Sequence, residues 1–383
     1  MEIWMKNRVM GCMLGGAVGD ALGNPVEFYN YDEIIERFGE RGITRYQLEQ
    51  SGKALITDDT QMTLFTANGM VLAMSKNKVF TEDLPIEETV TEAYLEWFNT
   101  QTQVWTGVEQ VAAQCWLSQV KELYARRAPG NTCLQALASI VAHEEVVNDS
   151  CGCGGLMRVA PVGLLSALNP SVFDQDQTLR LGAELARITH KHPLGYLPAA
   201  LFAYLVREAV MRKCLLPASF IEVLENGIAQ LSKVYPEESS NIAYLKMKIS
   251  RAIYLSTTKT PDAEAIANIG EGWVADENLA IAIYCVLRHW DHFESAVVAA
   301  VNHSGDSDST GAVTGNLMGA LMGKGAIPVY YLQSLELREV IEEITTDMIE
   351  GFPDWNQGMT LVVSAWMQKY RDAIWPVRIL GNK

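Results

Sequence analysis

The stretch GCMLGGAVGDALG, residues 11–23, carries glycine at four-residue spacing, and GNLMGALMG, residues 315–323, repeats that spacing. Glycine in a helix interior costs up to about 1 kcal/mol relative to alanine, so its repeated use requires a compensating gain. Residues four apart share one helix face, and a face of glycines lets a second helix approach closely. Because neither stretch has the GxGxxG or GxxxxGKS/T pattern of phosphate-binding loops, we predict two helices that pack around a buried centre. The glycines concerned are Gly15, Gly19 and Gly23, then Gly315, Gly319 and Gly323.

Helical periodicity also dominates the rest of the chain, and convincing strands are nearly absent. In residues 276–290, Leu279, Ile283 and Trp290 fall on one stripe at helical spacing. We find no linker of proline, glycine and serine between separate domains. The predicted fold is therefore all-α, with residues 1–383 forming one compact, single-domain helical bundle. Similar periodicity occurs at residues 88–99, 107–126, 176–189, 198–213, 219–233, 240–256 and 334–349.

The composition restricts the classes of partner. The chain has 383 residues, of which 49% are hydrophobic and 20% charged, and its formal net charge is −16. Nucleic-acid binding requires a basic surface, so the negative charge argues against it and also against anionic membranes. No apolar run approaches a membrane span, and the first residues lack the pattern of a signal peptide. We expect a cytoplasmic protein with no nucleic-acid or membrane partner.

The seven cysteines favour a reducing compartment. Their number is odd and most of them lie in apolar surroundings, where cysteine serves as a small hydrophobic residue. Only Cys151 and Cys153 are close in sequence. One intervening residue is a poor spacing for a zinc knuckle, and no second pair completes one. We therefore expect these two cysteines to be structural.

Two acidic clusters are the main candidates for a functional site. They are Thr57-Asp58-Asp59-Thr60 and Asp306-Ser307-Asp308-Ser309, and each precedes an apolar, helix-like run. Either cluster alone is explained by helix capping, which uses such residues. Capping needs only one of them, however, and carboxylates beside hydroxyls are also the ligands preferred by Mg²⁺, Mn²⁺ and Ca²⁺. If the fold brings the clusters together, we predict a binuclear metal site in a central cleft.

Several further positions could belong to the same site. Glu27 is a carboxylate in an apolar stretch, although an exposed loop acid is the simpler interpretation. Residues 152–158 offer flexible backbone and one cation, Arg158, suited to a phosphate or sugar, or else a buried ion pair. His190 and His192 would face apart on a helix, so that one of the two imidazoles could contact a ligand. Trp273 and His303 lie near the second cluster in sequence and could equally be packed in the core.

With these residues assembled, the chain resembles the ADP-ribosylglycohydrolase family of the all-helical, dinitrogenase-reductase-activating type. The matching stretches extend from residue 11 to about 330 and occur in the same order as in the family. The last fifty or so residues match nothing that we would transfer. The matching stretches are GCMLGGAVGDALGNPVEF (11–28), TDDTQMT (57–63), RAPGNT (127–132), CGCGGLMRVAPVGLL (151–165), THKHP (189–193), GEGWVADENLAIAIY (270–284) and SGDSDSTGAVTGNLMGALMGKGAIP (304–328).

The resemblance implies a helical fold with two Mg²⁺ or Mn²⁺ ions at the base of a cleft. Family members usually have threonine where this chain has Ser307 and Ser309, and Ser309 keeps the ligating oxygen. The implied catalytic residues are Asp58, Asp59 and Glu27. The resemblance does not say which of them protonates the leaving group, activates the water or stabilises the developing cation. The implied metal ligands are Thr57, Asp58, Asp59, Asp306, Asp308 and Ser309. The implied substrate-binding residues are Gly152, Cys153, Gly154, Gly155, Arg158 and His190.

The implied reaction is hydrolysis of the glycosidic bond between ADP-ribose and a protein side chain. We expect arginine to carry the ADP-ribose, because the VEF and TDDT stretches are closest to the arginine-acting branch. One alternative is a hydrolase of a free ADP-ribose derivative with the same metals and acids. Another is a protein that binds and blocks an ADP-ribosyltransferase toxin. Intact acidic clusters argue against a purely structural role, because without cations these carboxylates repel one another.

Overall fold

The computed structural model describes residues 2–80, 86–106 and 115–351, together with residues 366, 369 and 370. In these residues the regular structure is helical, apart from two isolated β-bridges, so the all-α prediction is confirmed. The helices are α1 (Ile3–Gly23), α2 (Tyr31–Phe38), α3 (Asp58–Phe80), α4 (Ile86–Thr102), α5 (Asn131–Val141), α6 (Ala160–Leu168), α7 (Gln175–Arg187), α8 (Pro193–Met211), α9 (Pro217–Val234), α10 (Ser239–Ser256), α11 (Asp262–Ala267), α12 (Ala275–Arg288), α13 (Phe293–Val301), α14 (Ser307–Met322), α15 (Val329–Ser334) and α16 (Arg338–Glu350).

The two glycine-rich helices, α1 and α14, pack against each other backbone to backbone, as predicted. A Cβ atom added to Gly19 would overlap the carbonyl oxygen of Gly311, and one added to Gly15 would overlap that of Gly315. Gly11 lies against Gly323 at the other end of the contact, so the helices run antiparallel. Only residues without side chains permit this separation, which brings the end of α1 beside the start of α14.

Helix α8 lies in the interior of the protein. It is the one helix in the described residues that is long and apolar enough to cross a membrane, although the sequence did not suggest one. However, 89% of its apolar window is buried inside the protein. Its neighbours include α7, where Gly182 meets the α8 backbone at Ala200, and α6, where Gly163 meets Ala203. The burial is that of a core helix.

Two predicted helical segments differ from the structure. Residues 107–114 lie outside the described residues, and residues 115–126 form two short 3₁₀ turns, Trp116–Gln119 and Lys121–Leu123, rather than a helix. The apolar periodicity there arises because Leu117 and Leu123 point into the core from successive turns. The segment 334–349 is also interrupted, because Leu337 has a positive φ of 53° just before α16 begins.

Candidate functional site

The two acidic clusters meet in space. Helix α3 begins with Asp58 and Asp59, and α14 begins immediately after Asp306. The Ser309 hydroxyl donates a hydrogen bond of 3.3 Å to Oδ1 of Asp59, which joins segments that are far apart in the sequence. Both clusters occupy helix N-termini, where the backbone dipole favours negative charge. The fold therefore meets the condition on which the predicted metal site depends, and the metal site itself stays a prediction.

Helix capping explains only some of these side chains. Thr57 Oγ1 accepts from the Asp59 N–H at 3.3 Å, and Asp306 accepts from the Ser309 N–H at 3.4 Å. Asp308 accepts from the same N–H at 2.9 Å. Oδ2 of Asp59, by contrast, is buried without a hydrogen-bond partner. A buried carboxylate oxygen without a partner is costly, and helix capping does not account for this one.

Asp20, at the end of α1, holds the first cluster in place. Its carboxylate accepts from the backbone N–H of Thr57, at 3.0 and 3.1 Å for the two oxygens, and from that of Thr60 at 3.1 Å. It is fully buried. Since Asp20 directly follows Gly19, the close contact between α1 and α14 determines where the α3 N-terminus lies.

Mutual repulsion and burial raise the pKa values of the clustered acids. Burial, followed by the charge of Asp308, raises the pKa of Asp20 to about 7. Burial raises the pKa of Glu27 to about 10, with further contributions from four neighbouring aspartates. The pKa values of Asp58, Asp59 and Asp306 are also raised well above the usual range, first by burial and then by Asp308. The cluster therefore favours bound protons or cations over free negative charge.

The side-chain oxygens of the two clusters have the chemistry and the negative charge that suit a hard divalent cation. They are carboxylate and hydroxyl oxygens, and Oδ2 of Asp59 is an oxygen that a cation would satisfy. Their spacing is not that of a closed coordination shell, because no three acidic, thiol or imidazole side chains of the described residues converge on one metal position. The donor chemistry supports a cation, and the geometry leaves the number and identity of the ions open.

Above the acidic cluster lies a cleft of about 490 Å³. The acids form its floor, and its walls come from the loop after Arg126, the turn at Gly152, and a pair of aromatic rings. The described lining residues are Glu27, Phe28, Asp58, Asp59, Arg126, Ala128, Pro129, Gly130, Asn131, Thr132, Cys133, Gly152, Cys153, Gly154, Met157, His190, Trp273, Asp306, Asp308 and Ser309. The volume is typical of a site for a small organic ligand.

Most of the predicted site residues line this cleft. Of the predicted ligands, only Thr57 does not, although its side chain hydrogen-bonds Asp308 from behind the floor. Gly155 is also absent from the lining, because it packs against Ala186 and Gly195. Gly152, Cys153 and Gly154 lie in the cleft wall, and their binding of substrate stays a prediction.

The structure does not place Arg158, a predicted substrate-binding residue, in the cleft. Its side chain is fully buried and does not line the cleft. The guanidinium donates to the Leu185 carbonyl at 3.1 Å and to Thr189 Oγ1 at 2.7 Å, and it lies over the Tyr94 ring at 4.4 Å. These contacts tie the turn after residue 155 to the end of α7. The arginine is therefore a structural residue.

His190 lies in the cleft wall in its neutral form. Burial, followed by the charge of Arg158, lowers the pKa of His190 to about 3. Its Nδ1 is 2.8 Å from the Thr189 hydroxyl, while Nε2 lies on the side of Gly152 and Gly154. A neutral ring in this position can exchange hydrogen bonds with a ligand without adding charge.

Phe28 and Arg126 line the cleft and were not predicted from the sequence, which leaves Trp273 open between the site and the core. Arg126 is the only lysine or arginine among the described lining residues. The neighbouring Arg127 forms an ion pair with Glu336 instead. Phe28 and Trp273 stack at the cleft mouth with ring centroids 6.0 Å apart. Phe28 is 72% exposed and Trp273 39% exposed, so both rings are accessible to a ligand.

Glu336 gives the C-terminal part of the chain a role at the site. Its carboxylate forms a two-pronged ion pair with Arg127 and accepts from the Ile56 N–H at 3.2 Å. Its own N–H donates to the Ala54 carbonyl at 3.0 Å. Glu336 therefore joins the segment before Asp58 to the loop that forms one cleft wall.

Comparisons with known proteins agree with this architecture. Residues 2–358 match the model of the ADP-ribosylglycohydrolase family, which extends beyond the resemblance found by inspection. A solved structure described as an ADP-ribosylglycohydrolase-related protein complex is 22% identical and superimposes with a TM-score of 0.57, covering 90% of this chain and 98% of that chain. At this level of identity, the superposition shows a shared fold.

Curated relatives are similar over nearly their whole length. An uncharacterised protein of Archaeoglobus fulgidus is 27% identical, with 90% of this chain and 97% of that protein aligned. The ADP-ribosyl-(dinitrogen reductase) glycohydrolase of Rhodospirillum rubrum is 26% identical, with 87% and 92% aligned. Human ADP-ribosylhydrolase ARH3 is 28% identical, with 86% and 89% aligned. The chain therefore belongs to the ADP-ribosylglycohydrolase family, whose members are hydrolases that act on glycosyl bonds.

Proposed function

We propose that this protein hydrolyses the glycosidic bond between ADP-ribose and a protein side chain, with arginine as the preferred acceptor. The observation that carries the proposal is the union of the two acidic clusters and Glu27 on the floor of one cleft. Such a cleft can hold a sugar above several carboxylates. The names of the relatives support ADP-ribose as the sugar.

We assign the cluster to two divalent cations, Mg²⁺ or Mn²⁺. The residues that would hold them are Thr57, Asp58, Asp59, Asp306, Asp308 and Ser309. When bound, the cations would orient the ribose hydroxyls and polarise a water molecule.

Glu27 is the best candidate for the general acid. Its burial favours the protonated carboxyl, which can donate a proton to the departing side chain. Guanidine leaves far more readily as guanidinium, so an arginine linkage benefits most from such an acid. The carboxylates of Asp58 and Asp59 lie on the same floor, where they can stabilise positive charge at the anomeric carbon.

The cleft walls supply contacts for the rest of the substrate. Arg126 lines the cleft, where it can bind the diphosphate against an otherwise acidic background together with the backbone N–H of Gly154. The exposed rings of Phe28 and Trp273 flank the mouth beside Glu27. Aromatic faces attract guanidinium groups, which favours an arginine side chain there.

The decisive experiment offers the enzyme two peptides, one ADP-ribosylated at arginine and one at serine, and follows release by mass spectrometry. We expect many turnovers per enzyme on the arginine peptide and slower release from the serine peptide. Glu27→Gln should slow release without preventing binding. Release from neither peptide, with turnover of free ADP-ribose derivatives, would instead support the small-molecule hydrolase. Stoichiometric binding to a transferase without turnover would support the blocking protein.

Two arginine substitutions separate substrate binding from folding. Arg126→Met should raise KM for the arginine peptide about tenfold with little change in kcat, because it removes a contact to the diphosphate. Arg158→Met should leave KM unchanged and lower the free energy of unfolding by about 2 kcal/mol, since two buried hydrogen bonds are lost. Steady-state kinetics and denaturant titration measure both. A raised KM for Arg158→Met alone would reverse the two assignments.

Metal removal should make stability depend strongly on pH. The pKa of Asp20 is about 7 in the folded protein, raised by burial and by Asp308, and about 4 when unfolded. A raised folded pKa means that the folded state binds the proton more tightly. Its contribution to stability is therefore full below about pH 4 and is lost as the pH rises through about 7.

In chelator, the melting temperature should therefore fall between pH 5 and pH 8. Saturating Mg²⁺ should raise it at pH 8, by on the order of 5 °C, and flatten its dependence on pH. Thermal melts with and without the cation provide the measurement, and Ca²⁺ and Mn²⁺ extend the series. Identical melting curves in chelator and in Mg²⁺ at every pH would contradict the assigned metal site.

A further inference from the structure

A loop at the mouth of the cleft, residues 269–275, carries Trp273, and we call it the rim segment. Its backbone is bonded to the wall and to the floor of the cleft. The Trp273 carbonyl accepts from the Cys153 N–H at 3.0 Å. The Glu271 carbonyl accepts from the Asp306 N–H at 2.9 Å. Because the proposed function uses the Trp273 ring, the position of the rim segment bears on substrate binding.

An ion pair that does not line the cleft also holds the rim segment. Lys248 of α10 and Glu277 of α12 pair at 2.9 Å between Nζ and Oε1, and their side chains are 17% and 22% exposed. Lys248 Nζ also donates to the Ile269 carbonyl at 3.1 Å. Oε2 of Glu277 accepts from the Glu271 N–H at 3.0 Å. The pair therefore bonds the backbone of the rim segment on both sides of Gly270.

The carboxylate of Glu277 packs directly on the rim segment. A Cβ atom added to Gly270 would lie 2.2 Å from Cδ of Glu277, so the contact requires a glycine. Glu277 lies in the first turn of α12, where the helix dipole favours its negative charge. Exposed ion pairs contribute little to stability, but a mostly buried carboxylate that also accepts from a backbone N–H makes a stronger, charge-assisted contact. The pair thus attaches the rim segment to α10 and α12.

Trp273 lies only two residues after Glu271. The intervening Gly272 has a φ of 85°, a conformation that favours glycine. The Trp273 ring is 39% exposed and stacks on Phe28, which is itself 72% exposed. Because both rings are accessible to solvent, their stacking alone is a weak constraint. The position of the Trp273 ring therefore depends on the backbone that carries it.

We propose that Lys248 and Glu277 are positioning residues, which set the place of Trp273 at the cleft mouth and thereby the affinity for the side chain that carries ADP-ribose. This inference rests on the proposed function and deepens it. Asp306 also bonds the rim segment, but it is held independently at the start of α14, which packs closely on α1. Loss of the ion pair should therefore weaken substrate binding more than it slows the chemical step.

A double-mutant cycle on the full-length protein tests whether the pair acts through Trp273. KM and kcat are measured on the peptide ADP-ribosylated at arginine, for Glu277→Ala, Trp273→Ala and the two together. We expect Glu277→Ala to raise KM about fivefold with kcat nearly unchanged, and to raise it no further when Trp273 is already replaced. Glu277→Gln keeps an oxygen for the Glu271 N–H and should restore a KM close to that of the wild type. Increases in KM that multiply in the double variant would overturn the inference.

Glu342→Ala is the matched control for the loss of an ion pair. Glu342 pairs with Lys324 at 2.8 Å, its side chain is 27% exposed, and it does not line the cleft. An equal rise in KM for Glu342→Ala would contradict a specific role for Glu277. If Glu277→Ala lacks a cooperative melt, Lys248→Met takes its place, because it removes the ion pair and leaves the hydrogen bond from Glu271 to Glu277.

Hydrogen exchange separates failure of this inference from failure of the proposed function. The amides of residues 269–275 should exchange about tenfold faster in Glu277→Ala than in the wild type or in Glu342→Ala. If their exchange is unchanged while the wild type hydrolyses the arginine peptide, the inference fails and the function stands. If their exchange rises while the wild type turns over neither ADP-ribosylated peptide, the proposed function fails and the attachment of the rim segment by the ion pair stands.

Discussion

Asp308→Asn is expected to abolish hydrolysis and, at the same time, to stabilise the protein in chelator. The two effects have one cause, because Asp308 is the acid whose charge reaches all the others. Its charge contributes to the raised pKa of every other acid in the cluster. These acids are Asp20, Glu27, Asp58, Asp59 and Asp306. Removing the charge relieves the repulsion and also removes attraction for cations.

The expected loss in kcat/KM is about 1,000-fold or more, the upper end for loss of one preorganised electrostatic group. In chelator the free energy of unfolding should rise by about 1 kcal/mol, and the increase in melting temperature on adding Mg²⁺ should disappear. Asp291→Asn is the matched control, since Asp291 is exposed and does not line the cleft. Retained turnover, or an undiminished response to Mg²⁺, would show that Asp308 is not part of a metal site.

The features predictable from the sequence are those that depend on residue type alone. The absence of a Cβ atom at Gly15 and Gly315 predicts a close helix contact whatever surrounds it, and the structure has that contact. The composition of the acidic clusters indicated a role beyond capping, because capping alone does not need two acids in each, and the structure brings the two clusters together. The all-α class followed from periodicity sustained over most of the chain.

The direction of individual side chains could not be predicted in the same way. Arg126 and Arg127 are adjacent, yet one lines the cleft and the other pairs with Glu336. Arg158 follows a glycine turn that does line the cleft, but its side chain turns inward to Leu185. Such differences arise from tertiary contacts with segments distant in sequence. No local pattern encodes them.

The contact between the two aromatic rings at the cleft mouth could not be predicted from the sequence either. Phe28 follows α1 and Trp273 precedes α12, and the two rings meet only because α14 joins these regions. Trp273 is placed by its neighbours, since Gly272 has a φ of 85° and lies against Thr310 of α14. A glycine at this position could have indicated a strained turn near the second cluster. The stacking partner could not have been identified.

Gly19→Ala is expected to destabilise the protein by about 3 kcal/mol and to abolish the rise in melting temperature on adding Mg²⁺. In a free helix, the substitution would stabilise the helix by up to about 1 kcal/mol. Helix propensity and the close helix contact therefore predict changes of opposite sign in the free energy of unfolding. In the folded protein the new methyl group would overlap the carbonyl oxygen of Gly311, which is backbone and cannot rotate away. Helices α1 and α14 must then separate, at a cost typical of a crowded core or greater.

The same separation would displace Asp20, which holds Thr57 at the start of α3, from Asp308 at the start of α14. Denaturant unfolding and melts in Mg²⁺ measure the two consequences separately. Gly325→Ala is the control, because a Cβ atom there meets no atom within 4 Å. If Gly19→Ala were as stable as Gly325→Ala and responded equally to Mg²⁺, the glycine contact would not be what assembles the site. Loss of both properties in Gly19→Ala alone would mean that helix packing and the acidic cluster form one cooperative unit.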